Sequence, residues 1–98
     1  MASAAQPRDV RKILELAIDN NFLEARKLMQ KVMYDNGLAG LDMIKFFQRE
    51  LLNLKIPNKS QMELYIACGE AEFRLVEGSD EFVQLEAFLA KASILSGK

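Results

Sequence analysis

Apolar residues recur at intervals of three and four along the whole chain. This is the spacing of one face of an α-helix and not the alternation of a strand. Glycine, proline and asparagine interrupt the pattern and divide the chain into five segments. The sequence therefore predicts an all-α fold, a compact five-helix bundle that occupies residues 7–95. We expect residues 1–6 to be a flexible leader and residues 96–98 to be a frayed end.

The first two predicted helices form a hairpin. Helix 1 begins at Pro7, because the missing N–H of a proline is harmless in a first turn. It ends at Asn20 and Asn21, either of which can adopt the left-handed conformation that closes a helix. Helix 2 runs over residues 22–36 and ends at Gly37. The link is so short that the two helices must be antiparallel.

Helix 3 is predicted over residues 40–54, and Pro57 prevents its continuation. Ser60 and Glu63 have the spacing of a capping box, which predicts the start of helix 4. Helix 4 extends to about residue 77.

Gly78 ends helix 4, and Ser79 or Asp80 is in position to cap the next helix. Helix 5 then runs to about Leu95.

The last two helices each carry two apolar stripes when they are projected at 100° per residue. The broad stripe of helix 5 contains Phe82, Leu85, Phe88, Leu89, Ala92 and Leu95. Its second stripe contains Val83, Ala87, Ala90 and Ile94. Helix 4 has Met62, Tyr65, Ile66, Gly69, Phe73 and Val76 on one side, and Leu64, Cys68, Ala71 and Leu75 on the other.

Two interpretations explain the double stripes. The helices lie in the middle of the bundle and contact neighbours on both sides, or one stripe is exposed and becomes buried against another chain. We favour the first for helix 4 and the second for helix 5, which no later element covers. The candidate subunit-interface residues are Leu64, Cys68, Ala71, Arg74, Leu75, Val83, Gln84, Ala87, Ala90, Lys91 and Ile94.

Composition adds limits to this picture. A chain of 98 residues has room for one domain, and with half of its residues apolar it can form a core. Thirteen basic and fourteen acidic residues give a net charge of −1, which disfavours nucleic acid as the main ligand. The charge is uneven: residues 1–56 hold nine basic and seven acidic groups, whereas residues 57–98 hold four and seven.

Residues that usually carry chemistry are scarce. The chain has no histidine, and its five glycines form no phosphate-binding loop. Cys68, the single cysteine, lies on an apolar stripe and reads as a small hydrophobic residue. We interpret the basic cluster Arg26, Lys27 and Lys31 as a solvated face of helix 2. We therefore expect no enzyme activity, no metal and no cofactor in this chain.

No apolar run reaches the roughly 20 residues that span a bilayer, and the first six residues lack the features of a signal peptide. With a single cysteine, this predicts a cytoplasmic protein without a membrane contact.

A resemblance is carried by the segment Gly69-Glu-Ala-Glu-Phe-Arg-Leu-Val-Glu-Gly78 and by Ser79-Asp-Glu-Phe-Val-Gln-Leu-Glu-Ala-Phe-Leu-Ala90. It continues in Asn21-Phe-Leu-Glu-Ala-Arg26, Tyr34-Asp-Asn-Gly-Leu-Ala-Gly40 and Ile56-Pro57, and covers nearly all of residues 7–95. Together these segments closely resemble the C-terminal collar domain of replication factor C small subunits, in the archaeal form.

The resemblance implies a five-helix domain that closes a ring of clamp-loader subunits in DNA replication. It implies as partners identical small subunits and a large subunit, and places the chain in nucleoid-associated replication machinery. In that family, AAA+ modules bind ATP and magnesium and load the sliding clamp onto primed DNA, and no Walker motif, sensor or arginine finger is matched here. An assembly role is implied for Arg74, Gln84 and their apolar neighbours. The chain is then an excised or separately encoded piece of a longer protein.

Head-to-tail contact between such domains suits the charge split, since the basic first half of one copy can meet the acidic helices 4 and 5 of the next. Two other functions are open to the sequence: a helical-hairpin adaptor that binds a peptide, and a small nucleic-acid-binding helical domain.

Overall fold

The computed structural model describes residues 5–95, which form five α-helices and one short 3₁₀ helix. They are α1 (Pro7–Ile18), α2 (Phe22–Asn36), α3 (Gly40–Glu50), the 3₁₀ helix (Leu51–Asn53), α4 (Asn58–Val76) and α5 (Glu81–Leu95). The predicted all-α, five-helix fold is confirmed. Residues 1–4 of the predicted leader and the predicted frayed end lie outside the described residues. Ala5, which the prediction placed in the leader, is buried.

Two antiparallel hairpins, α1 with α2 and α4 with α5, pack together with α3 between them in the chain. Helix α5 contacts all four other helices, so it lies at the centre of the bundle. Phe88 of α5 stacks on Phe47 of α3 with ring centroids 5.4 Å apart and planes 11° from parallel. Around this pair, the fully buried large side chains include Ile13, Leu14, Met29, Met43, Leu64, Leu85 and Leu89.

The helices end and begin at residues that the sequence predicted for these roles. Asn20 closes α1 in the left-handed region with φ of 66°, and the N–H of Asn21 donates to the Leu16 carbonyl at 2.8 Å. Gly37 ends α2 with φ of 62°. At the start of α5, the Asp80 carboxylate accepts the N–H of Val83 at 3.0 Å, so Asp80 is the cap.

The predicted boundaries around α4 are wrong in two places. Helix α3 ends at Glu50, and the chain continues as a 3₁₀ turn to an extended Leu54. Helix α4 begins two residues before Ser60, so Ser60 and Glu63 form no capping box. The Ser60 hydroxyl instead donates to the Leu95 carbonyl at 2.7 Å and ties the start of α4 to the end of α5.

Glu81 joins the beginning of α5 to the beginning of α3. Its Oε1 accepts the N–H of Gly40 at 2.7 Å, which satisfies a free donor in the first turn of α3. The approach requires glycine, because a Cβ on residue 40 would lie 2.6 Å from the Cβ of Glu81.

Gly40→Ala is therefore expected to lower the free energy of unfolding by about 1–3 kcal/mol, since two backbones must move apart. Gly69→Ala is the matched control, because Gly69 lies inside α4 with no atom within 4 Å of an added Cβ. The control should raise stability by about 0.5–1 kcal/mol. Urea unfolding followed by circular dichroism measures both, and equal effects at the two glycines would contradict the close contact.

Candidate functional site

The second stripe of α5 lies on the surface of the domain. Val83 is 62% exposed and Ile94 is 77% exposed. Ala87 is also exposed, and Ala90 is half-buried. On the other side of the helix, Leu85, Phe88, Leu89 and Ala92 are buried in the core. A line of four small and medium apolar side chains therefore runs along the exposed side of α5, with Lys91 beside it.

On α4 the candidate stripe is the one that is buried. Leu64, Cys68 and Ala71 belong to the core, and Leu75 packs partly against it. Leu64, Cys68 and Ala71 are thus not on the surface of this chain, whereas Leu75 is partly exposed. The physical reason is size, because Ala67, Cys68 and Ala71 let α4 approach its neighbours closely.

The other stripe of α4 is exposed, so the prediction that this helix contacts neighbours on both sides is wrong. Ile66 is 62% exposed, and Phe73 and Val76 are each 66% exposed. Met62 and Gly69 lie on the same side and are exposed as well. A phenylalanine exposed to this degree is uncommon enough in a free domain to indicate a contact surface when other apolar residues surround it.

These two stripes lie on adjacent helices. Helices α4 and α5 are antiparallel neighbours, and each stripe points about 180° away from the buried residues of its own helix at 100° per residue. We call the two exposed stripes together the outer surface and define it by Met62, Ile66, Phe73 and Val76 of α4 and Val83, Ala87, Ala90 and Ile94 of α5.

The polar residues among the candidate subunit-interface residues lie beside the outer surface. Arg74 and Lys91 are exposed, and Gln84 is half-buried. Glu70 and Glu72 are exposed on α4 together with the cation Lys59, and Glu77 is exposed directly after the helix. Within residues 5–95, no ion pair involves any of these charged groups. Exposed charges of both signs therefore border the outer surface.

The basic cluster on α2 is arranged differently. Arg26 Nε lies 2.9 Å from the Glu86 carboxylate, and the Gln30 amide donates to the same carboxylate at 3.2 Å. Lys31 pairs with Asp35, and this contact raises the pKa of Lys31. Lys27 lies 3.7 Å from Glu24. Three neutralised cations make a poor electrostatic footprint for a phosphate backbone, and no aromatic platform lies between them.

No group of three or more histidine, cysteine or acidic side chains is placed to hold a metal ion in the part of the chain that the structure describes. Burial raises the pKa of the Cys68 thiol to about 12, so the thiol stays protonated and unreactive at neutral pH. Among residues 5–95, no helix is long and apolar enough to cross a membrane.

Residues 5–91 match the family model of the replication factor C C-terminal domain. The chain belongs to this family. The match confirms the resemblance predicted from the segments around Gly69–Gly78 and Ser79–Ala90. It includes α1 to α4 and most of α5, so Ile94 is the single outer-surface residue beyond it.

Curated relatives carry the name replication factor C small subunit. The protein from Methanococcus vannielii is 45% identical over 95 residues, which are 97% of this chain and 30% of the relative. The protein from Methanocaldococcus jannaschii is 42% identical over 95 residues, 97% of this chain and 5% of the relative. The Staphylothermus marinus protein is 41% identical over 96 residues, 96% of this chain and 29% of the relative. The chain thus spans less than a third of each of these replication factor C subunits.

Proposed function

We propose that this replication factor C C-terminal domain is an assembly domain, the collar that joins subunits of a sliding-clamp loader in DNA replication. The observation that carries the proposal is the outer surface, eight apolar residues on adjacent helices of which seven are exposed and Ala90 is half-buried in the described chain. Its partners are other subunits of the same family, both identical small subunits and a large one. Binding of ATP, magnesium, the sliding clamp and primed DNA belongs, in this proposal, to other modules of the assembly.

Burial of the outer surface would favour association through the hydrophobic effect, at roughly 25 cal/mol per Å² of apolar area. Lost translational and rotational freedom opposes this by about 4–15 kcal/mol, and ordering of side chains opposes it further. The stability of the multimer therefore depends on how much of the outer surface becomes buried.

A dilution series tests the proposal. We expect the 98-residue chain to form a discrete multimer at tens of micromolar by sedimentation equilibrium. Phe73→Glu and Ile94→Glu should each weaken self-association roughly 30- to 1,000-fold, because a carboxylate would be desolvated in an apolar interface. Both side chains are mostly exposed in the single chain, so circular dichroism should show the fold unchanged.

Leu23→Glu is the matched control, since Leu23 is 67% exposed on α2, outside the outer surface. It makes the same change in charge and should leave the multimer intact. A native chain that stays monomeric would overturn the proposal. So would dissociation by the control, or unfolding by Phe73→Glu, which would show that the stripe is part of the core.

A further inference from the structure

The turn between α2 and α3 contains an asparagine that is followed directly by a glycine, Asn36-Gly37. The other four asparagines of the chain precede residues that carry a side chain; they are Asn20, Asn21, Asn53 and Asn58. Glycine has no Cβ, so nothing on residue 37 shields its backbone nitrogen from the side chain of Asn36. This pair is therefore the place in the chain where an asparagine side chain is most open to attack by the backbone.

Such an attack is a balanced reaction that needs only water. A base, hydroxide at alkaline pH, removes the proton of the Gly37 N–H, and the nitrogen then bonds to Cγ of Asn36. The Cγ–Nδ2 bond breaks, and Nδ2 takes a proton from water and leaves as ammonia. Water opens the resulting five-membered succinimide ring at either carbonyl carbon and produces an aspartate or an isoaspartate at position 36. The step is intramolecular, so its rate depends on how the chain aligns the two reacting atoms.

The folded chain holds the Asn36 side chain out of alignment for this attack. Closure of the ring requires Cβ of Asn36 and the nitrogen of Gly37 to be eclipsed about the Cα–C bond of Asn36. Asn36 is the last residue of α2, and a helical residue keeps these two atoms apart. In addition, its Nδ2 donates to the Val32 carbonyl at 2.8 Å, which fixes the side chain along the helix.

Backbone hydrogen bonds hold the glycine as well. Gly37 has φ of 62°, and its N–H donates to the Tyr34 carbonyl at 3.4 Å. The Leu38 N–H donates to the Met33 carbonyl at 2.9 Å, which completes a Schellman motif. Met33 and Leu38 also line one hollow together, as the apolar contact of this motif requires. The attacking nitrogen is therefore engaged as a donor in the folded turn.

The turn is nevertheless open to solvent. Gly37 is exposed, and Asn36 is half-buried. The end of a helix opens more readily than the core, because few buried contacts hold it. Opening of this one turn breaks the hydrogen bond from Asn36 to Val32 and lets Asn36 leave the helical conformation while the rest of the bundle stays folded.

We infer that Asn36 is a site of spontaneous deamidation and that the turn between α2 and α3 controls its rate. The reaction proceeds from the opened turn and is suppressed in the closed one. The inference is independent of the proposed assembly function, because it depends on the α2–α3 turn alone.

The product weakens the turn that protected the asparagine. A carboxylate has no N–H to donate to the Val32 carbonyl. It also places a negative charge beside Asp35 at the C-terminal end of α2, where the helix dipole is already negative. An isoaspartate adds one carbon to the backbone and shifts the residues of the Schellman motif. Shortly after this turn the N–H of Gly40 donates to Glu81, so the disturbance reaches the beginning of α5.

Incubation of the native chain at mildly alkaline pH, with and without urea, tests the inference. Proteolysis in acid followed by mass spectrometry measures the loss of the amide at each asparagine, and electron-transfer fragmentation identifies isoaspartate. In urea, Asn36 should react at least roughly tenfold faster than the other four asparagines, which also report any effect of urea on the chemistry. The folded chain should lose the Asn36 amide roughly 10- to 100-fold more slowly, which corresponds to about 1.4–2.7 kcal/mol for opening the turn.

A glycine variant tests the chemistry in urea, where the fold does not contribute. Gly37→Ala should slow the reaction of Asn36 to the rate of the other asparagines. Gly78→Ala is the matched control, because Gly78 also has a positive φ, 101°, and follows a helix. It should leave the rate at Asn36 in urea unchanged. An unchanged rate in Gly37→Ala would overturn the assignment of the site, and equal rates in the folded and unfolded native chain would overturn control by the turn.

The effect of the product is tested with the charge alone. Asn36→Asp should lower the urea concentration at the midpoint of unfolding. Asn58→Asp is the matched control, since it places the same charge in the first turn of α4, where the helix dipole favours it. The control should leave the midpoint unchanged or raise it. Equal midpoints for the two variants would overturn the inferred effect of the product on the turn.

Discussion

Phe47→Ala is expected to lower the free energy of unfolding by about 3–5 kcal/mol, a large part of the stability of a domain of this size. Phe47 is completely buried and stacks on Phe88, so its removal leaves a cavity between α3 and the central helix α5. The neighbouring helices are held by several other contacts and cannot close this space fully. Loss of the offset aromatic contact adds to the loss from burial.

Phe46→Ala is the matched control, because Phe46 is the next residue of the same helix and is only partly buried. It should lower the free energy of unfolding by less than about 1.5 kcal/mol. Both variants are best measured by urea unfolding in the Ile94→Glu background, so that self-association does not add to the apparent stability. Equal losses at the two phenylalanines would mean that α3 is rotated about its axis from the described position.

Cys68 is expected to react about 1,000-fold more slowly with a thiol reagent in the folded chain than in the unfolded chain at pH 8. Burial raises the pKa of this thiol from 9.0 to about 12, and the thiolate is the reactive form. With 4% of its surface exposed, the residue is also sterically protected. The chain has no other cysteine, so absorbance from a disulfide reagent reports on Cys68 alone.

The raised pKa of Cys68 also makes the free energy of unfolding depend on pH. Below pH 9 the thiol is protonated in both the folded and the unfolded chain and has no effect. Between pH 9 and about 12 the unfolded chain loses this proton and the folded chain keeps it, so folding becomes less favourable as the pH rises. A Cys68→Ala chain lacks this contribution and should lose less stability over that range. Labelling of native Cys68 at the rate of the unfolded thiol would show instead that this side of α4 is accessible.

Local chemistry made much of the fold predictable. Asn20, Gly37 and Asp80 act at helix ends as their side chains or backbone freedom predict, and each effect depends on residues a few positions away. Ser60 shows where this reasoning fails. Its sequence context predicted a helix cap, but its hydroxyl donates a hydrogen bond to the carbonyl of Leu95, 35 residues away. The link from Glu81 to Gly40 spans 41 residues and is equally invisible in local sequence.

The exposed stripe was predictable on α5 and not on α4, because burial depends on contacts with distant residues. On α5 the broad stripe holds the larger side chains, and Leu85, Phe88 and Leu89 of this stripe form part of the core, although Phe82 is 41% exposed. The narrow stripe remains outside. On α4 the order is reversed, because Phe73 and Ile66 are exposed and the smaller Cys68 and Ala71 are buried. Two apolar stripes on opposite sides of a helix nearly cancel in its amphipathic pattern. Only the fit of α4 against its neighbours decides which one is inside, and that fit depends on residues distant in sequence.

The stacked rings of Phe47 and Phe88 also have a consequence for geometry beyond stability. They join α3 to the buried side of α5, opposite the outer surface, with ring centroids 5.4 Å apart. A smaller side chain at either ring would let α5 move towards α3 and would shift the outer surface relative to the rest of the domain. In the proposed assembly, this aromatic pair therefore helps to set the position in which a bound subunit is held.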